Sequence, residues 1–482
     1  MSTRSVPDLK SLGRHERRPR AAGQNASAET NGGKRNKTAG KWLSGFAFVL
    51  LLGGVFYRYE NWHGARELAA AQNELLARAG TLDLEVLLPK DVAEEENYFA
   101  IPILKKWRVS RSARESDFEL VVPESLEVTP SLIAELAAGL DRPYSQMTPS
   151  RRRFILDAQE VPKWQTPPDF ESLRGLVKKL AQKLDSFVQT GDAANTRCLV
   201  GIMLKLGNGV AGEPALENAI SGQWLQHKIL NSLNAALAPG FLTELDLGEI
   251  QKRLLPENDL LLMEQTIFGT ILETDFKLTL MRRELADGNS TGLLWNIKYW
   301  LGPYAYHAMK WGPRGWWDSN RAYSIDQMLK VGGSGESENW RRSENAAESM
   351  SKNLKAVAGF KIGGDHEFYN MRRVMACQLV PGLKHFWLLA AKIAALRRCA
   401  VLACALHRHR LLHGAFPKSL TELDAGLLPG PGPGPQMDPA KAEAELQYRV
   451  KEKGFLLWSV GMDRVDDGGD VDKDWIWRQG TL

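Results

Sequence analysis

The sequence has few of the residues and motifs that usually mark an enzyme. Four cysteines occur in 482 residues and none forms a CxxC pair, so their spacing does not indicate a metal site. No HExxH helix, Gly-x-Ser-x-Gly elbow or Walker phosphate loop is present. Carboxylates are abundant, but a sequence does not pair two of them across a cleft. These gaps favour a protein without catalytic activity.

The cysteines themselves indicate packing. Cys399 and Cys404 lie five residues apart in the apolar run 398–406, so they do not share a helical face. We expect them to be small buried apolar side chains. In an oxidising compartment Cys198 and Cys377 complete a set of four, which allows three disulfide pairings among which the sequence does not choose.

Positive charge is lacking over most of the chain. The formal net charge is +5, yet residues 1–41 alone carry +7, from ten Lys and Arg against three acidic residues. The other 441 residues therefore sum to −2, so the bulk of the chain supplies no excess of positive charge for the basic face that a nucleic-acid-binding domain needs. The basic tail has no apolar periodicity, and we expect it to be disordered.

One long apolar run follows that tail. Residues 42–59 are almost wholly apolar up to Tyr57, and eighteen helical residues rise about 27 Å, close to the hydrocarbon thickness of a bilayer. Basic residues before the run predict a single-pass helix in the bacterial inner membrane, with a cytoplasmic N-terminus and an extracytoplasmic body. The alternative is a cleaved signal peptide, whose apolar region is normally shorter.

Helical periodicity dominates the body. Residues 60–79 are rich in Ala, Leu and Glu and predict a helical stalk. Asp246, with Glu249 three residues on, is typical of a helix N-cap. Short connections favour an all-α bundle. Apolar spacing predicts helices over 170–189, 197–210, 217–238, 249–255, 263–285 and 383–413.

An aromatic-rich segment interrupts this pattern at 291–323. One interpretation is a platform for glycans or a membrane-interface patch. The other, which we favour, is a core of large side chains beneath an irregular cap. The nine aromatic residues are Trp295, Tyr299, Trp300, Tyr304, Tyr306, Trp311, Trp316, Trp317 and Tyr323.

The last fifth of the chain contains the clearest metal chemistry. Residues 446–450 and 454–460 alternate as the two strands of a hairpin. The aspartate loop that follows contains Asp463, Asp466, Asp467, Asp470, Asp472 and Asp474. These carboxylates repel one another without a counter-ion, and calcium takes six to eight oxygens from flexible loops, so the loop predicts a calcium site. Gly468 and Gly469 provide the bends. The alternative is a solvated acidic turn without metal.

A pair of histidines also stands at ligand spacing. His409 and His413 lie four residues apart on the predicted helix 383–413 and share a face. Because Arg408 and Arg410 flank His409, we interpret the pair as a solvated basic helix end and not as a metal site.

Together the C-terminal motifs resemble the C-terminal domain of a type II secretion pseudopilin. The resemblance covers residues 394–477 and rests on the turn Gly-Ala-Phe-Pro at 414–417, the strand GFLLWSVGMD at 454–463 and the aspartate loop. It implies carbonyl ligands near Leu457 and Ser459. The carboxylate ligands of calcium that it implies are Asp463, Asp470, Asp472 and Asp474.

The N-terminal part departs from that family. Pseudopilins are cut before a phenylalanine that opens the membrane helix, and the fifth mature residue is glutamate. Here the fifth residue counted from Phe46 is Leu50, and a long helical domain is interposed. The whole chain is therefore similar to long, uncharacterised membrane-anchored bacterial proteins that end in this domain, and we do not expect a filament.

These observations predict a mainly α fold with one transmembrane helix, a helical-bundle body and a small α+β C-terminal domain. The predicted segments are a disordered tail at 1–41, the membrane helix at 42–59, an exported helical domain at 60–382, and a long helix with a small β-hairpin domain at 383–482. The role we expect is binding or scaffolding in the cell envelope near a secretion apparatus, with the membrane and other envelope proteins as partners. The alternatives are a glycan-acting enzyme that uses the carboxylates of 94–96, and a divergent pseudopilin.

Overall fold

The computed structural model describes most of the chain. The described residues are 32–87, 90, 92–110, 118–147, 168–211, 216–254, 259–287, 306–331, 345–353, 359–361, 367–380, 383–428, 436–441, 444–451 and 454–480. The chain divides into two units, Met1–Phe56 and Tyr57–Leu482. Most of the tail that we predicted to be disordered lies outside the described residues.

The described residues are mainly helical, as the sequence predicted. The helices are α1 Gly32–Ala79, α2 Leu84–Leu87, α3 Pro102–Lys106, α4 Pro130–Ala137, α5 Pro168–Thr190, α6 Ala193–Ala211, α7 Leu216–Leu237, α8 Glu244–Leu254, α9 Asp259–Asp287, α10 Arg314–Val331, α11 Val374–Leu379 and α12 Leu383–His413. Residues 306–311 and 345–353 are also helical. Short 3-10 helices span Tyr98–Ala100, Leu420–Glu422 and Ala425–Leu427.

Seven short strands form three antiparallel sheets in the described residues. They are β1 Arg108–Ser110, β2 Phe118–Leu120, β3 Gly359–Lys361, β4 Glu367–Tyr369, β5 Gln447–Lys451, β6 Gly454–Ser459 and β7 Trp475–Gln479. The predicted hairpin is β5–β6, and β7 adds a third strand on the other side of β6. Sequence reasoning missed β7, although Trp475 and Trp477 alternate on one face and are both buried.

The apolar run lies within α1. It is long and apolar enough to cross a membrane, and none of its apolar window is buried. The helix begins at Gly32, so the last ten residues of the predicted disordered tail are helical. These ten residues include three glycines, an asparagine and a threonine, which are weak helix formers, so local propensity did not predict this extension of the apolar helix.

Residues 57–79 of α1 do not form a free stalk. Leu68, Ala71 and Leu75 are buried in a core shared with α9, α10 and α12. The carboxylate of Glu60 is also buried, and it accepts hydrogen bonds from Arg372 at 2.5 and 2.8 Å and from Nε1 of Trp316 at 3.0 Å. This part of α1 is thus a structural element of the second unit.

Two glycines allow α1 to approach the start of α10. A β-carbon at Gly64 would overlap the backbone of Gly315, and one at Gly315 would overlap the backbone of Glu60. The amide of Gly315 donates to Oδ1 of Asn61 at 2.9 Å, which fixes the crossing. Only glycine fits at so close a contact between two backbones.

Helix α12 passes through the two largest cores. Its first half, with Leu383, Phe386 and Trp387, packs in the core that contains α9 and α10. Its second half packs with α5, α6, α7 and α8, and the same core includes Phe455, Leu457 and Trp477 of the C-terminal sheet. Residues on both sides of the predicted boundary at 382 therefore share one interior.

Two local predictions have clear outcomes. Cys399 and Cys404 are fully buried, as expected, and all four cysteines are free. The predicted N-cap at Asp246 is wrong, because α8 begins at Glu244 and Asp246 lies in its first turn. Thr243 caps the helix instead: its Oγ1 accepts from the amide of Asp246 at 3.2 Å, while Asp246 accepts from the amide of Thr243 at 3.0 Å.

The aromatic-rich segment is partly core. Trp317 is buried, and Trp316 bonds to Glu60, whereas Trp311 is 75% exposed. The described part therefore contains both core and exposed aromatic side chains, and the interpretation as a binding surface stays a prediction. The predicted positions Trp295, Tyr299, Trp300 and Tyr304 lie outside the described residues.

Candidate metal centre in the aspartate loop

The C-terminal sheet and α12 hold the aspartate loop, which comprises residues 460–474. Strand β6 is buried along its whole length, because it lies between β5 and β7 and packs against α12. Ser459, the last residue of β6, pairs with Trp475, the first residue of β7. The loop is thus closed at its base by two hydrogen-bonded strands.

Asp438 fixes the entrance to the loop. Its buried carboxylate accepts hydrogen bonds from Oγ of Ser459 at 2.7 Å, from the amide of Val460 at 3.0 Å and from the amide of Ala440 at 2.9 Å. Burial raises the pKa of Asp438, while these donors act in the opposite direction. Sequence reasoning gave this residue no role, although its Asp-Pro dipeptide at 438–439 is typical of a turn and belongs to the pseudopilin resemblance.

Several loop aspartates bind the loop's own backbone. Three of them accept the amide two residues ahead: Asp463 from Val465 at 3.1 Å, Asp466 from Gly468 at 2.9 Å and Asp470 from Asp472 at 3.0 Å. Such Asx turns stabilise each carboxylate separately. Gly468 and Gly469 have φ of 75° and 83°, which confirms that they supply the bends.

Asp474 differs from the other predicted ligands. It is 4% exposed, and its Oδ2 accepts from the amides of Gly469 at 2.8 Å and Asp470 at 3.0 Å. Its Oδ1 is buried and has no hydrogen-bond partner among the described residues. Most buried polar atoms are paired, so this unpaired oxygen needs an explanation.

Asp467 contains a second oxygen of this kind. Its Oδ1 accepts from Nζ of Lys473 at 2.8 Å, an interaction that raises the pKa of that lysine. Its Oδ2 is buried without a partner in the described part of the chain. Asp467 was counted in the loop but not among the four ligands that the resemblance implies.

The structure does not gather three of the predicted ligands at one point. Asp463, Asp470 and Asp472 are exposed, whereas Asp474 is buried. In the described ranges, which include the whole loop, three ligand side chains with atoms within 4.8 Å of one another are found only at His409, His413 and Asp424. A calcium ion in the loop would therefore take most of its ligands from backbone carbonyls and water, as calcium often does.

The two predicted carbonyl ligands lie in β6. Ser459 stands at the base of the loop. Leu457 lies two residues before Ser459 in the strand, and it pairs with Tyr448 of β5 on one side and with Trp477 of β7 on the other. Of the two, Ser459 is the better placed to face an ion in the loop.

The carboxylates considered for a glycan-acting enzyme lie on the surface. Glu94, Glu95 and Glu96 are exposed, and Glu94 forms an ion pair with Lys105. Three cavities lined by described residues measure about 20, 40 and 40 Å³, which is room for water but not for a sugar ring.

Comparisons with known proteins do not assign the chain to a family. No family model matches it, and neither a curated protein nor a solved structure does. The resemblance to the pseudopilin domain stays a prediction from the residues quoted above.

Proposed function

We propose that this chain is a single-pass membrane protein whose body binds or scaffolds partners in the bacterial cell envelope, and whose aspartate loop holds a structural calcium ion. The observation that carries the first part is the uncovered apolar surface of α1. Trp42, Phe46 and Leu50 are 78%, 64% and 60% exposed, and every described side chain from 41 to 59 is exposed.

Such a surface needs an apolar environment. Moving one large apolar side chain out of water contributes about 1.5–3 kcal/mol, and this helix presents many of them around its whole circumference. A bilayer satisfies all of them at once, because the backbone of a helix is already hydrogen-bonded within itself. The basic tail before the run supports a cytoplasmic N-terminus.

Membrane fractionation of the full chain tests the anchor. The double variant Leu50→Arg/Leu51→Arg places two charges near the middle of the apolar run, where each costs about 2.5–3.5 kcal/mol on insertion. The matched control is Leu411→Arg/Leu412→Arg, an adjacent leucine pair on α12 that is 47% and 59% exposed. We expect the wild type and the control to stay in the membrane pellet after an alkaline wash, and the first variant to leave it. Retention of the first variant contradicts the anchor.

The calcium site is supported by the buried, unpartnered oxygens of Asp474 and Asp467. A hard cation beside them would supply the missing partner and would reduce repulsion across the loop. The ion would act structurally, by joining the loop to the ends of β6 and β7.

Thermal melting of the full chain in detergent tests this site. The variant Asp474→Asn keeps one oxygen for the amides of Gly469 and Asp470, but it replaces the unpartnered oxygen by an NH₂ group that repels a cation. Asp185→Asn, at an exposed position of α5, is the control. We expect about 10 mM calcium to raise Tm by a few degrees in the wild type and the control only, since affinities of about 10⁻⁴–10⁻³ M are typical outside cells. An unmoved wild type, or an equal shift in Asp474→Asn, overturns the calcium proposal.

A further inference from the structure

The end of α12 brings together three side chains that are ligands for transition metals. His409 and His413 lie one turn apart with ring centroids separated by 4.2 Å. The Nε2–H of His413 donates to Oδ2 of Asp424 at 3.1 Å. One ligand atom from each of the three side chains lies within 4.8 Å of the other two.

Asp424 is held in place by the turn that follows α12. The helix ends at His413, and the amide of Gly414 donates to the carbonyl of Arg410 at 2.8 Å. The chain then turns back, and Asp424 opens the 3-10 helix Ala425–Leu427, whose last amide donates to its carbonyl at 2.9 Å. The carboxylate therefore reaches the histidines from a second, separately supported segment.

Gln251 of α8 connects these two segments. It is buried, and its Nε2 donates to the carbonyl of Leu427 at 2.9 Å and to that of Val401 in α12 at 3.1 Å. A buried hydrogen-bonded bridge thus joins α12 to the 3-10 helix that Asp424 opens.

The two arginines that flank His409 each contact a partner on another element. Arg408 donates to Oε1 of Glu244 at 2.6 and 3.0 Å and to Oε1 of Gln251 at 2.9 Å. The guanidinium of Arg410 lies 4.9 Å from the centre of the Phe416 ring. Arg408 is therefore paired with a carboxylate, whereas Arg410 keeps its positive charge, so one of the two charges given above as a reason against a metal site is neutralised.

Two further features favour a bound cation. Nδ1 of His409 is buried and has no hydrogen-bond partner among the described residues, so this ring nitrogen is not committed to another side chain. The C-terminus of α12 also carries a partial negative charge from the helix dipole, which attracts cations. The side chains of His413 and Asp424 are 51% and 57% exposed, so an ion reaches them directly from solvent.

We propose that His409, His413 and Asp424 bind a divalent transition metal ion of the zinc class. Imidazole nitrogen and carboxylate oxygen are ligands that suit zinc, and three protein ligands leave a fourth position for water. The ion would replace the proton between His413 and Asp424 and would join the end of α12 to the turn at 424. This site is separate from the calcium loop and does not depend on the membrane anchor.

Cobalt titration of the metal-free full chain in detergent tests the site, because four-coordinate Co²⁺ has visible absorption that Zn²⁺ displaces. We expect one such site in the wild type, with affinity reduced at least about tenfold in His413→Gln and in Asp424→Asn, since even an outer partner is worth 10- to 100-fold. His307→Gln, at an exposed histidine elsewhere, and Asp474→Asn in the aspartate loop are the controls, and both keep the wild-type signal.

Circular dichroism of the variants keeps the result interpretable. His413 and Asp424 are largely exposed, so their replacement leaves the helical signal and Tm of the metal-free protein unchanged. Absence of a zinc-displaceable cobalt signal in the wild type overturns the proposal. So does an undiminished signal in both ligand variants, or a signal lost only in Asp474→Asn.

Discussion

The aspartate loop and the helix-end triad of His409, His413 and Asp424 arrange their ligand atoms in opposite ways. The loop has six carboxylates within twelve residues, but three of them turn to an amide two residues ahead. The triad has a single carboxylate, which comes from across a turn to meet two imidazoles. A high density of ligand residues in sequence therefore does not by itself produce convergence in space.

The difference follows from how each carboxylate is stabilised. An aspartate in a loop finds a local amide easily, and an Asx turn then directs its oxygens along the chain. A histidine on a helix does not form such a turn with a nearby backbone amide, because its ring projects from the surface at a position set by the helical geometry. The loop consequently depends on Asp474 and Asp467, whose oxygens are not all used locally.

The largest expected effect concerns a third histidine on α12. His407 is buried between Phe416 and Phe455, and burial lowers its pKa to about 4, with Arg410 contributing. The unfolded chain takes up this proton near the ordinary value of about 6.5, so the free energy of unfolding falls as pH drops from about 6.5 to about 4, by about 3 kcal/mol. Urea unfolding at a series of pH values measures this loss.

His407→Phe should abolish that part of the acid sensitivity, since phenylalanine fits an aromatic cluster and carries no proton. His307→Phe, at an exposed position, should retain it. Acid has two separate effects at this end of α12: it protonates His407, which destabilises the fold, and it protonates the proposed metal ligands, which weakens metal binding. The His407→Phe variant removes the first effect and leaves the second. An unchanged slope in His407→Phe contradicts the assignment.

Asp474 provides the next largest effect. Asp474→Ala leaves the amides of Gly469 and Asp470 without their acceptor, and we expect the calcium-free protein to lose about 2 kcal/mol of stability. Asp474→Asn retains an acceptor and should lose much less. Denaturant titration in EDTA measures the free energy of unfolding of both variants. Equal losses of stability in the two variants would contradict a structural role for Asp474.

A crossed metal experiment tests whether the two sites are distinct. At ten times Kd a bound ion stabilises the folded protein by about 1.4 kcal/mol. We expect Asp474→Asn to lose the rise in Tm with calcium but to keep that with zinc, and His413→Gln to show the reverse. If one variant removes both responses, the loop and the triad are a single coupled site.

The smallest effect is expected at the exposed aspartates. Asp463→Ala removes an acceptor that water replaces, so stability without calcium should change by less than about 0.5 kcal/mol. The same variant should weaken calcium binding if Asp463 is a ligand. Calorimetric titration distinguishes a ligand from a solvated turn residue at this position.

Local sequence patterns predicted several of the secondary-structure elements in these two regions. Helix α12 was predicted with its bounds, because 31 residues of apolar periodicity carry a strong signal. The hairpin β5–β6 followed from alternation, and the bends at Gly468 and Gly469 from their composition. All of these are local patterns.

Contacts between distant segments were not predictable in this way. Asp424 meets His413 across eleven residues, and Gln251 reaches Leu427 across 176. Asp438 caps the end of β6 from 21 residues away. Nothing in the spacing of these residues indicates their partners, because packing of α8 and α12 brings them together.

The contacts of Glu60 also have a consequence for the order in which the protein is made. Its partner Arg372 is synthesised 312 residues later, and Gly315, which sits against its backbone, 255 residues later. At roughly 5–20 residues per second, Arg372 follows Glu60 after roughly 15 to 60 seconds. Until Trp316 has been made the carboxylate lacks all three of its native hydrogen bonds, so residues 57–79 complete their packing only after most of the chain has been translated.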